Sequence, residues 1–109
     1  MANLQNANIA ISASGETAVV AGVTGQQVRV HRLVIANGVA TAQTVTVKDA
    51  ASGSTLATLR LPSSIGGGYV LGNGDNRECP VFRSATSGAF ILSLSAATEV
   101  DGFCQYEQG

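Results

Sequence analysis

Eight short segments in which apolar and polar residues alternate, each closed by Gly, Ser, Asn or Asp, occupy almost the whole of this chain. A period of two puts successive side chains on opposite faces of a strand, and no stretch holds the 3.6-residue period of a helix. The clearest inward sets are Val45 and Val47, then Ala57, Leu59 and Leu61, then Phe90, Leu92 and Leu94. Short strands with turn signals between them predict an all-β fold: a two-sheet antiparallel β-sandwich, jelly-roll-like, with about eight strands.

The segments run Asn8 to Ala13, Thr17 to Ala21, Gln26 to Ala36, Gln43 to Lys48, Ser54 to Leu61, Tyr69 to Leu71 with Glu78 to Arg83, Ala89 to Ala96, and Glu99 to Glu107. In the longest early segment Val28 and Val30 share one phase while Leu33 and Ile35 share the other. The alternation therefore slips by one near His31 and Arg32, which predicts a β-bulge there. Asn37-Gly38 reads as a turn, and Gln43–Lys48 with Ser54–Leu61 reads as a hairpin across Asp49–Gly53. Pro62 has no N–H for the ladder and closes the hairpin's second strand. The last segment must pair, because a strand of that length left at an edge would template aggregation. No linker divides the chain, so residues 1–8 are expected to form an N-terminal polar arm and 9–109 a single β-sandwich domain.

Only 5% of the 109 residues are aromatic against 45% hydrophobic, so the core is aliphatic, with Phe82, Phe90, Phe103, Tyr69 and Tyr106 as its large side chains. With 12% charged residues, the surface must be rich in neutral and apolar groups, which suits contact with another protein. The net charge is −1, and Arg29, Arg32, Lys48, Arg60, Arg77 and Arg83 are scattered. Nucleic acid, whose binding needs clustered cations, is not an expected partner. Neither is a membrane, since no apolar run approaches the length of a spanning helix. The N-terminal residues lack the basic and apolar regions of a secretory signal, so synthesis in a cytoplasm is expected. Cys79 and Cys104 do not have a redox or zinc spacing, and reduced thiols are favoured over a disulfide between them.

Residues able to carry chemistry are few. Gly66-Gly67-Gly68 with Gly72 and Gly74 lacks the Lys and the following helix of a phosphate loop and reads as a surface loop. Asp75, Asn76 and Glu78 supply oxygens for calcium, but Arg77 stands among them and the set is too small, so a solvated turn is the better reading. His31 is the single histidine and has no ligand or triad spacing, which favours an outward-facing or interface position. Glu99 and Asp101 share a strand face, yet nothing pairs the acids across a cleft as glycoside hydrolysis requires. The expectation is a protein with no catalytic residues, no cofactor and no metal.

Three stretches carry a resemblance: Ile11 to Val30 (ISASGETAVVAGVTGQQVRV), Leu33 to Gly38 (LVIANG), and Leu92 to Tyr106 (LSLSAATEVDGFCQY). They resemble a group of small tailed-phage proteins with a strand, Gly-rich turn, strand and Asn-Gly opening and a Leu-x-Leu-Ser-Ala-Ala close. Gln43 to Phe82 matches in pattern only. Similar small jelly rolls act as capsid decoration or cement proteins. The resemblance therefore implies a structural virion protein on the capsid surface, made in the host cytoplasm, that binds between major capsid subunits. It also implies self-association, with a homotrimer as the first expectation. The candidate interface comprises Asn3, Leu4, Gln5 and Asn6 of the arm and Ile65, Tyr69, Leu71, Asn73 and Asn76 of the long irregular stretch. A carbohydrate- or receptor-binding module, or another virion part in tail, neck or head fibre, is the alternative.

Overall fold

Two antiparallel sheets pack face to face, and the order of their strands is set by where each apolar face can be buried. A computed structural model describes residues 4–72 and 80–109. Nine strands are present among them: β1 (Gln5–Ile11), β2 (Gly15–Val20), β3 (Val28–Asn37), β4 (Gln43–Lys48), β5 (Thr55–Leu61), β6 (Gly68–Leu71), β7 (Phe82–Arg83), β8 (Phe90–Leu94) and β9 (Val100–Gln108). One sheet has the order β1-β9-β3-β6, with the two-residue β7 also paired to β3, and the other has β2-β8-β4-β5. With β7 set aside, eight strands in these two orders form a jelly roll, as the alternation predicts. The radius of gyration is 13.1 Å, matching the roughly 13 Å of a compact domain of this size.

The core is aliphatic. Val28, Val30, Leu33 and Ile35 of β3 face Val45 and Val47 of β4 and Leu92 and Leu94 of β8 across the sandwich, all buried. Phe90 is fully buried and meets Phe82 with ring centroids 6.1 Å apart. Burying such a side chain contributes about 1.5–3 kcal/mol. The hairpin of β4 and β5 is present in the register Val45↔Leu59, with Leu59 and Leu61 inward and Leu56 outward. Gly102 lies between Ile9 and Ile35 in the ladder at φ +152°, and a Cβ there would stand 1.9 Å from the Val34 carbonyl oxygen. Only glycine lets β9 approach β3 so closely.

The bulge falls where the phase slips. Pairing of β3 with β9 runs Arg29↔Glu107 and Val30↔Tyr106, then resumes at Arg32↔Gln105, leaving His31 as the extra residue. The bulge restores Leu33, Ile35 and Asn37 to the buried face.

Two expectations change. Gln5 to Asn8, assigned to a free polar arm, are the first half of β1 and pair with Tyr106 to Phe103 of β9. Their polar side chains read as solvated, but the backbone finds its ladder about a hundred residues away. The final strand pairs as expected, and on both sides, between β1 and β3. His31, expected at an outward-facing or interface position, is buried within the chain with Nε2 3.0 Å from Glu107 Oε1, because the bulged residue is turned out of the simple alternation. Among the described residues neither ring nitrogen has a partner in hydrogen-bond geometry.

Candidate functional site

The described residues contain no group of three His, Cys, Asp or Glu side chains placed to hold a metal ion, and no helix among them is long and apolar enough to cross a membrane. A depression of about 280 Å³ lies at the ends of β4 and β5 and is lined by Ala42, Gln43, Thr44, Arg60, Leu61 and Ser95. Arg60 is its single ionisable side chain, so it offers no acid and base pair for proton transfer.

The expected interface residues divide. Leu4, just before β1, is 38% exposed, and Ile65, in the turn before β6, is 72% exposed. Gln5 accepts a hydrogen bond from the Tyr106 hydroxyl at 3.0 Å, while Asn6 pairs with Gln105 and points to solvent. Tyr69 and Leu71 are half-buried against the core, and the Tyr69 hydroxyl donates to the Arg60 carbonyl at 2.9 Å. The strand's phase presents Val70 instead, 63% exposed. Asn3, Asn73 and Asn76 lie outside the described residues, as do Cys79 and the Asp75, Asn76 and Glu78 group.

Sequence reasoning missed a row of partly exposed apolar side chains on the outer face of the β1-β9-β3-β6 sheet. Register aligns Asn8 with Phe103, Phe103 with Val34 and Val34 with Val70, so one row crosses all four strands. Phe103 is 36% exposed and Val34 half-buried. On one side of this row the register places Asn6, Gln105 and Arg32, and on the other Ala10, Asp101, Ala36 and Gly68. The Arg32 guanidinium carbon sits 5.9 Å from the Phe103 ring centroid, a cation–π contact, and among the described residues its buried Nε has no acceptor. Across the row, Asp101 hydrogen-bonds and repels Glu99, and these effects hold the Glu99 carboxyl above its ordinary pKa. Each residue alone is unremarkable in the sequence; only the inter-strand register assembles the row.

One end of the sandwich is tied by a buried amide cluster. Asn37 donates from Nδ2 to the carbonyls of Thr41 and Pro62, each at 2.8 Å, and accepts from the Val39 N–H and the Gln43 amide. Gln43 also donates to the Glu99 carbonyl at 3.3 Å and accepts from the Thr98 hydroxyl. Asn37-Gly38, expected to act simply as a turn, is therefore the anchor for three loops. Gly38 adds an N–H bond of 2.9 Å to the Glu99 carbonyl, and a Cβ there would clash with the Glu99 side chain.

Comparison with protein-family models, with curated proteins and with solved structures finds no match to this chain.

Proposed function

We propose that this chain is a structural virion protein, a capsid decoration or cement protein that stabilises an icosahedral phage head by binding between major capsid subunits. The observation that carries the reading is the pairing of the two resemblance-bearing ends. The opening stretch supplies β2 and β3, the closing stretch supplies β8 and β9, and β2 pairs with β8 while β3 pairs with β9. The two motifs thus form one framework inside a jelly roll. Framework of this kind, presenting neutral polar residues and the exposed Leu4, Ile65 and Val70, suits work by contact.

The mechanism is linkage. A protein that binds the assembled shell and not the separated subunits stabilises the shell by RT ln(1 + [L]/Kd), about 2.7 kcal/mol per site at a hundred times Kd. Attachment through neutral groups would depend only weakly on salt, since screening acts on charges. Self-association belongs to this reading, and the resemblance implies a homotrimer.

Electron-microscopy maps of particles with and without the protein test the proposal. The expected difference is density on the outside of the head where capsid subunits meet. Density confined to the tail, neck or a fibre, or its appearance only with a host glycan or receptor, would overturn it.

A further inference from the structure

We propose that the outer face of the β1-β9-β3-β6 sheet is a contact between two copies of this chain, packed face to face about a twofold axis along the Phe103, Val34, Val70 row. A twofold axis lying in the plane of a flat contact carries each residue to the opposite side of the axis on the facing copy. Arg32 lies on one side of the row, and Asp101, with Glu99 beside it, on the other. Rotation about the row therefore brings Arg32 of each copy over the second copy's Ala36, with Asp101 one strand away and within reach of a long side chain. The face is its own complement: apolar row on apolar row, cation to anion at both flanks.

The unmet needs of the single chain point the same way. Among the described residues the buried Arg32 Nε has no acceptor, and the guanidinium lies over Phe103 as a planar fork suited to a carboxylate. Glu99 and Asp101 are two acids in mutual repulsion, a conflict that an incoming cation relieves. Phe103 on the inner strand β9 and Val70 on the edge strand β6 keep apolar surface in water along the row.

Size sets the strength. β1, β9, β3 and β6 hold 7, 9, 10 and 4 residues, which at about 3.4 Å per residue and about 4.8 Å between strands give roughly 490 Å² per copy, or about 1,000 Å² per pair. That is the size of weak, transient interfaces, so the pair is a reversible one. This contact is twofold where the resemblance implies a threefold assembly, and it does not depend on the virion reading.

Sedimentation equilibrium of the full chain at on the order of 100 μM separates the outcomes. The expected wild-type mass is twice the 11.0 kDa of the chain. Phe103→Glu and Val70→Asp should each yield monomer; because Val70 is largely exposed, its variant keeps the fold even if the Phe103 variant does not. In a Glu99→Gln background, Arg32→Glu and Asp101→Arg should each weaken the pair at least tenfold, and the two together should restore it. A monomeric or trimeric wild type, a dimer indifferent to Val70→Asp, or no recovery in the charge-swapped variant would overturn the proposal.

Discussion

Asn37 accepts a 3.0 Å hydrogen bond from the Gln43 amide while donating to two backbone carbonyls of other loops, so one buried side chain closes an end of the sandwich. All four of its hydrogen-bonding positions are used. Asn37→Ala removes the donors to the part-buried Thr41 and Pro62 carbonyls and leaves the buried Gln43 amide without this acceptor. We expect a loss of about 3 kcal/mol in urea unfolding. A change below about 0.5 kcal/mol, the scale of an ordinary surface substitution, would refute the anchoring role.

Cys104 is a free thiol buried in the core cluster, and burial pushes its pKa up to about 11 against a weaker opposing effect from a hydrogen bond with the Ala7 backbone. The thiolate is the reactive form, and it is both scarce at neutral pH and shielded. In a Cys79→Ser variant, a disulfide reagent should modify Cys104 only as fast as the chain opens, and immediately once urea unfolds it. Rapid labelling of the folded protein would contradict this burial.

Two surface acids impose opposite pH dependences. Glu16 is held below its ordinary pKa by its hydrogen bond to Lys48 at 2.8 Å, then by the Ser52 N–H. Its unfolded form binds protons more readily, so its contribution is complete above pH 4.5 and is lost as pH falls through the depressed folded value. Glu99 is raised by its hydrogen bond and repulsion with Asp101, so the folded state binds the extra proton. Its penalty is absent below pH 4.5 and grows as pH rises through the elevated folded value. Urea midpoints across pH should show Glu16→Gln less stable than wild type at neutral pH with the gap closing in acid, and Glu99→Gln more stable at neutral pH with that gap also closing in acid. Parallel curves for all three proteins would contradict both assignments.

The fold was legible where information is local. Alternation at Val45 and Val47 against Leu59 and Leu61 specifies a hairpin, and the slip between Val30 and Leu33 specifies a bulge, because a period of two leaves no other way to bury both pairs. Non-local pairing was not legible. Gln5 to Asn8 look like a solvated arm until β9 supplies their ladder, and Asn37 looks like a turn residue until Pro62 and Gln43 arrive beside it. The Phe103, Val34, Val70 row joins three strands through register alone, and within each strand an outward apolar residue is ordinary. Tyr69 and Leu71 were placed at the interface because their segment looked irregular, whereas the phase of β6 turns them to the core.

Release of packaged DNA on heating tests the central claim most directly, measured on phage particles that carry this protein, on particles lacking it, and on the latter after adding it back. Decorated and restored particles should hold their DNA to a higher temperature than bare ones, since a ligand of the assembled shell raises the point at which it opens. Equal release temperatures in all three, together with failure of the bare particles to adsorb to cells, would contradict the account and assign the protein to receptor binding.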